Sequence, residues 1–265
     1  MNPFLNTATT LVLKAGKIIA QAVERLDEVK VSIKSKNNFV TTVDLAVEEE
    51  IIYGLKKAYP DHAILAEETG SQGSEQSDYQ WIIDPLDGTT NFIHGYPHFC
   101  IAIALKHKNR IEQAVIYDPI RDEMYSASYG GGAHKNNRRI RISKENQLAN
   151  TIVGTVLPAS QIHLREPFFD SAKLIMSHCR TIRIAGSAAL DLAYVGAGQL
   201  DGFWSMGLKP WDIAAASLII KEAGGIVIDF QGGEDYLTSG NVIAANPKLI
   251  KQLVENLKSL IVALK

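Results

Sequence analysis

Cysteine is scarce: two residues in 265, Cys100 and Cys179, stand too far apart for the Cys-x-x-Cys spacing of a zinc or redox site. So few thiols exclude a disulfide-stapled scaffold and read as free thiols in a reducing cytosol. The seven histidines show no paired spacing that would recruit a metal. Neither sign of charge dominates. With 27 Lys and Arg against 29 Asp and Glu, the formal charge of −2 draws the chain to neither nucleic acid nor an anionic membrane, so any anion binding has to be local. Long apolar runs are missing as well. The segment from Met1 to Leu26 is interrupted by Lys14, Lys17 and Glu24 and lacks an apolar stretch ending in a small-residue cleavage site, so neither signal peptide nor membrane span is expected. Gly130-Gly131-Gly132 lacks the Lys-Ser/Thr continuation of a nucleotide loop and reads as a hairpin connection. No internal repeat or low-complexity tract is present.

What the chain does have is core-forming material. Its 46% apolar and 21% charged residues suffice for a substantial core, as one domain or as two small halves. Asn2-Pro3 reads as cap and first turn of a helix whose Ala8, Leu11, Ala15, Ile18, Ala22 and Leu26 recur at three- and four-residue steps. A second helix is expected from about Asp44, as its cap, to Tyr59, with Val47, Ile51, Leu55 and Ala58 on one face and Pro60 stopping it. Cys100 to Leu105, Ile111 to Tyr117 and Glu123 to Ala127 read as an antiparallel meander. From Thr151 strands alternate with helices near Glu166 to His178, Ser187 to Gly196, Asp212 to Gly224 and Pro247 to Leu264. The whole predicts a layered α/β fold, with a soft boundary around Gln147 to Thr151 between a helix-plus-meander half and an alternating half. The basic run Lys135, Arg138, Arg139, Arg141 and Lys144, with Ile140 and Ile142 at strand spacing, reads first as a solvated edge strand and second as a patch for a nucleic-acid or protein partner.

The chemistry concentrates between Trp81 and Phe92. There the apolar run Trp81-Ile82-Ile83 meets Asp84, held with Asp87 in an expected turn by Pro85 and Gly88. Two carboxylates at one strand end repel and lose hydration unless a proton or a cation lies between them, and a divalent metal answers this best. Gly88-Thr89-Thr90 adds closely spaced N–H groups and hydroxyls suited to a phosphate oxygen. An isolated Asp-Pro-x-Asp-Gly string is ordinarily a surface turn; its partners change that reading. The short strand His62 to Ala66 delivers Glu67-Glu68, and Asp212 stands at a helix start, where an Asp is ordinarily only a cap. Glu67, Asp84, Asp87 and Asp212 together suggest an all-oxygen site suited to Mg2+ or Mn2+ rather than zinc.

Asp84-Pro-Leu-Asp87-Gly-Thr-Thr-Asn-Phe resembles the first signature of the inositol monophosphatase family, and Trp211-Asp212-Ile-Ala-Ala-Ala with Glu222-Ala-Gly-Gly resembles the second. The resemblance spans essentially the whole chain, includes Gly186-Ser187-Ala188-Ala189, and is nearest to bacterial SuhB-type members. It implies a single domain over residues 1–265 folded as a layered αβαβα sandwich, a cytoplasmic and lithium-sensitive phosphatase, and a homodimer. It further implies two or three Mg2+ ions, with Mn2+ as substitute, held by Glu67, Asp84, the Leu86 carbonyl, Asp87 and Asp212. By the same resemblance Thr89 orients the attacking water with Asp44 behind it and Glu67 among the catalytic groups. Gly88 and Thr89 hold phosphate, and Gly186, Ser187, Ala188 and Ser205 lie beside the polyol. At Ser205 the family carries a glutamate; serine is shorter and uncharged, so an altered polyol preference follows. The implied substrate is myo-inositol 1-phosphate, with fructose 1,6-bisphosphate, histidinol phosphate and a nucleotide 3'-phosphate as alternatives. SuhB-type relatives also imply a transcription- or ribosome-assembly partner, while neither membrane nor direct nucleic-acid binding is expected.

Overall fold

The computed structural model describes residues 2–35, 38–74, 76–158 and 160–263. Helix α1 (Pro3–Val23) begins as the sequence predicts, with the Asn2 side chain accepting the Phe4 N–H at 2.9 Å and Pro3 in the first turn, where its missing N–H costs nothing. Ala8, Leu11 and Ala15 are buried, and Ile18, Ala22 and Leu26 pack at the margin of the same core. A hairpin of β1 (Val31–Ser35) and β2 (Asn38–Thr41) leads into α2 (Thr42–Ala58). Its cap is Thr41, not Asp44. The Thr41 hydroxyl accepts the Val43 and Asp44 N–H groups, while Asp44, three residues on, returns a carboxylate oxygen to the Thr41 N–H at 2.9 Å. Thr-x-x-Asp thus forms a reciprocal capping box. Val47, Ile51 and Leu55 are buried, whereas Ala58, expected beside them, is exposed because the helix ends there.

The main sheet follows: β3 (Ala63–Ala66), β4 (Gly70–Gln72), β5 (Tyr79–Asp87), then a short helix α3 (Thr89–Ile93), then β6 (Cys100–His107), β7 (Arg110–Asp118), β8 (Glu123–Ser128), β9 (Gly132–Lys135) and β10 (Arg138–Arg139). Its order is β10-β9-β8-β7-β6-β5-β3-β4, with the expected antiparallel meander over β6 to β8. The glycine triplet makes the β8–β9 turn, pinned by Glu222, whose carboxylate accepts the Gly130 and Gly132 N–H groups at 2.7 and 2.8 Å. Arg138 and Arg139 form the exposed edge.

Beyond the turn at Leu148–Asn150 come β11 (Ile152–Thr155), α4 (Arg165–Met176), β12 (Thr181–Ile184), α5 (Ala188–Gly196), β13 (Gly202–Ser205), α6 (Pro210–Glu222), β14 (Ile226–Ile228), α7 (Tyr236–Ser239), β15 (Val242–Ala245) and α8 (Leu249–Ala263). The predicted end of the last helix at Leu264 lies outside the described residues. The second sheet runs β12-β11-β13-β15-β14.

Alternation along the strands sorts side chains into layers. Trp81, Ile83, Ile101 and Ile103 face α1 and α2, whereas Ile82, Ala102, Ala104 and Ile116 face α5 and α6. Phe203, Val242 and Ala244 reach α5 and α6 from the second sheet, whose other face packs Trp204, Ile243 and Ala245 against α4 and α8. The result is an αβαβα sandwich in which α5 and α6 lie between two sheets. Small residues (Ala188, Ala189, Ala193, Ala214, Ala215, Ala216) line these central helices, allowing close packing on both sides. Among the described residues, no helix is long and apolar enough to cross a membrane.

Candidate active site

Two features of the main sheet bring the carboxylates together. Strands β3 and β5 are parallel and in register from Ala63 with Gln80 to Ala66 with Ile83, so Glu67 leaves its strand beside Asp84; the Glu67 N–H donates to the Ile83 carbonyl at 3.2 Å. On the other side, β5 pairs antiparallel with β6, Asp84 opposite Ala102 and Asp87 opposite Cys100. One residue more on β5 than on β6 makes a bulge. The sequence predicted a turn; the strand instead continues to Asp87, and the bulge at Pro85-Leu86 re-aims Asp87 toward α5. Proline is tolerated there because a bulge releases a ladder hydrogen bond. Gly88 then takes φ +102°, and a Cβ on it would meet the His98 carbonyl and Phe99 Cβ at 3.0 Å, so this position requires glycine.

Each acid is braced from behind. Asp84 is buried and accepts the Leu86 N–H at 3.1 Å. One oxygen of Asp87 accepts the Ser187 hydroxyl at 2.6 Å and the Ala189 N–H at 2.7 Å, so the start of α5 holds it. Asp212 was expected as the cap of α6; it occupies the third helical position and reaches back to the Lys209 N–H at 2.8 Å, because Pro210 takes the first turn. Ligand oxygens of Asp84, Asp87 and Asp212 all lie within 4.8 Å of one another. Burial raises the Asp84 carboxyl well above the usual carboxylate range, and Glu67, Asp87 and Asp212 push it further. Asp212 is raised for the same reasons, burial first and Asp87 next. Asp87 is raised by burial, against the opposing pull of its Ser187 and Ala189 hydrogen bonds. An all-oxygen cluster whose members resist ionising together fits a hard divalent cation.

Residues 1–261 match the inositol monophosphatase family. The chain belongs to the inositol monophosphatase family. A protein from Pasteurella multocida (strain Pm70) named Nus factor SuhB is 47% identical over 258 residues, 97% of each chain. Among solved structures, the extragenic suppressor protein suhB of Bartonella henselae superposes with TM-score 0.94 at 38% identity, covering 97% of this chain and 99% of that one. The inositol monophosphatase of Anabaena (Nostoc) sp. PCC 7120 superposes with TM-score 0.87 at 32% identity, covering 97% and 95%.

The remaining residues singled out in the sequence are distributed around the acidic cluster as follows. The Thr89 hydroxyl donates to Asp44 at 2.9 Å and lies 3.2 Å from the Leu86 carbonyl. Asp44 is fully buried, and burial raises its carboxyl while the Thr41 and Thr89 bonds oppose that shift. A cleft of about 230 Å3 opens from Glu67 and Asp212 between Leu157-Pro158 and Gln161 on one side and Met206 to Lys209 with Trp211 on the other. Gly186 adjoins Asn91. Ser187 is fully buried with its hydroxyl on Asp87, and Ala188 starts α5. Ser205 is also fully buried: it ends β13 one residue before the cleft wall at Met206, its hydroxyl without a partner among the described residues.

Several supporting groups were not read from the sequence. Glu48, one helical turn after Asp44, is buried and accepts the Glu68 and Thr69 N–H groups at 2.9 and 2.8 Å, fixing the turn that carries Glu67. The spacing of four from Asp44 was the available signal, obscured because Glu48-Glu49-Glu50 resembles an ordinary solvated run. The buried pair of His98 and Asp191, 2.9 Å apart, joins the segment after α3 to α5 and had no sequence signal.

Proposed function

We propose that this protein hydrolyses a small phosphate monoester with divalent cations, Mg2+ foremost and Mn2+ as substitute, and that myo-inositol 1-phosphate is its substrate. The observation that carries this reading is the convergence of Asp84, Asp87 and Asp212 within 4.8 Å beside Glu67, at the mouth of a cleft of about 230 Å3. Glu67, Asp84 and the Leu86 carbonyl would hold one cation, and Asp84, Asp87 and Asp212 a second. Such cations neutralise phosphate charge and make water nucleophilic near neutral pH.

The chain supplies position. Because the Thr89 hydroxyl donates its proton to Asp44, its lone pairs are left to accept a hydrogen bond from the attacking water. The Gly88 and Thr89 amides hold the phosphate oxygens, and Gly186 and Ala188 border the leaving alcohol, with Ser205 beneath the cleft wall. No side-chain nucleophile is needed for in-line phosphoryl transfer. Cys100, the nearest thiol, is fully buried and raised well above its ordinary range by burial and then by Asp87 and Asp84, so it is not poised as a thiolate.

Phosphate release from a panel of monoesters with saturating Mg2+ tests the substrate. Preference for inositol 1-phosphate supports the reading, whereas preference for fructose 1,6-bisphosphate, histidinol phosphate or a nucleotide 3'-phosphate replaces it. Inhibition by millimolar-type lithium is expected from the family likeness. The Nus factor name of the 47%-identical relative supports a second role with a transcription-machinery partner in the cytoplasm. A pull-down comparing wild type with Asp84→Asn separates that role from catalysis, and sedimentation tests the proposed homodimer.

A further inference from the structure

One side chain, besides the Asp87 and His98–Asp191 contacts, spans the two halves of the site. Asn91, in α3 two residues beyond Thr89, uses both hydrogens of its Nδ2, one on the His98 carbonyl at 2.7 Å and one on the Ala185 carbonyl at 2.8 Å. His98 lies just ahead of β6 in the main sheet, and Ala185 is the first residue after β12 of the second sheet, in the turn that leads to α5. The turn is shaped to receive this amide. Gly186 has φ +92°, and a Cβ on it would stand 3.0 Å from Asn91 Nδ2. One and three residues after Gly186 the same segment supplies the Ser187 hydroxyl and the Ala189 N–H that together occupy one oxygen of Asp87.

We infer that Asn91 is a positioning residue: it fixes the Ala185-to-Ala189 turn against the carboxylate strand, and thereby sets both the aim of Asp87 and the distance from the phosphate site to the leaving-group wall. The kinetic consequence rests on the phosphatase reading above; the structural consequence does not. The His98–Asp191 pair joins the same two segments, so the fold survives loss of the amide while the turn loosens.

The test compares wild type with Asn91→Asp, of the same shape but lacking both donors, and Asn91→Ser, which removes the bridge without adding charge. Kinetics are measured across Mg2+ concentrations, with hydrogen exchange over residues 184–190 and thermal melts on the same samples. Both variants are expected to lose protection in that segment with the main sheet unchanged. Their kcat/KM should fall roughly 10- to 100-fold, mainly through higher KM and Mg2+ requirement, as an error of about 1 Å in placement produces. The double variant Asn91→Ser/Ser187→Ala should lose little more than the worse single variant, because both act on Asp87 through one turn. Unchanged exchange at 184–190, losses spread over the whole sheet, or full additivity with Ser187→Ala would overturn the assignment. If wild type hydrolyses nothing in the panel, the reaction assigned above fails, while exchange at 184–190 still decides whether Asn91 holds the turn.

Discussion

Replacing Asp84 by Asn separates what its charge does for the metal-free protein from what it does for the reaction. Asparagine keeps the shape and can still accept the Leu86 N–H, so the bulge is retained. In the metal-free protein the cluster works against folding. Two charges at the outer separation of 4.8 Å repel by about 3.5 kcal/mol at an effective dielectric constant of ~20. Uptake of a proton relieves part of that cost, since Asp84 is raised well above the ordinary range. The remaining relief is on the order of 1 to 3 kcal/mol, and each kcal/mol shifts melting by about 2–4 °C in a chain of this size. Asp84→Asn in EDTA is therefore expected to melt as high as wild type or higher.

Added Mg2+ should reverse the ranking. Wild type gains stability from each ion bound to the folded state. The variant has lost the carboxylate shared by both proposed positions, and should lose more than the roughly 10- to 100-fold in metal affinity that removal of an outer-shell partner costs. Melts with and without Mg2+, together with phosphate release, read both effects. A variant that melts well below wild type in EDTA and keeps at least half of the wild-type rate at saturating Mg2+ would refute the reasoning.

Three further outcomes follow from the same geometry. Asp84, Asp87 and Asp212 are raised in the folded state, so the metal-free protein binds more protons folded than unfolded and its stability falls as pH rises from the ordinary carboxylate range through the raised values. Mg2+ competes with those protons, and its stabilising shift in melting temperature should be larger at about pH 8 than at about pH 5; an equal shift would contradict the assignment. Glu48→Gln trades a carboxylate oxygen that accepts a backbone N–H for an amide donor facing it, and should cost about 1–3 kcal/mol by denaturant unfolding while raising the Mg2+ requirement. Asp44→Asn cannot satisfy both the Thr41 pair and Thr89, and is expected to lose about 1–2 kcal/mol if the capping box opens. Steady-state kinetics of that variant should show a fall in kcat larger than any change in KM.

Much of this was legible in sequence because periodicity and short-range chemistry report local structure directly. The α1 stripe, the β6–β8 meander and the alternation after Thr151 follow from apolar spacing alone; Glu67 and Asp84 are visible as ends of apolar runs, and Asp212 at a helix start. Where the reading missed, several local solutions suited the same residues. Asp44 and Asp212 each stand near a helix start, and only the backbone distinguishes a cap from a third-position residue that reaches back to one. The Asp84-Pro85-Leu86-Asp87 bulge depends on the register of β6, a partner 13 or more residues away in sequence, so a local reading gives a turn. The Ser187 hydroxyl lies on Asp87 because α5 docks against the strand end, a contact between distant segments that local spacing does not show. Asn91 and the His98–Asp191 pair act across tertiary contacts that no pattern in the chain announces, and the one signal for Glu48, its spacing from Asp44, is masked by the acidic run around it.

The central claim is that water, directed by Thr89 and the acidic cluster, attacks phosphorus in a cation-dependent hydrolysis. Turnover of inositol 1-phosphate in heavy-oxygen water, with Mg2+ and then with EDTA, tests it most directly, by mass analysis of both products. The account predicts one solvent oxygen in the released phosphate, none in the alcohol, and no release in EDTA. Label in the alcohol, or phosphate release that survives EDTA, would contradict it.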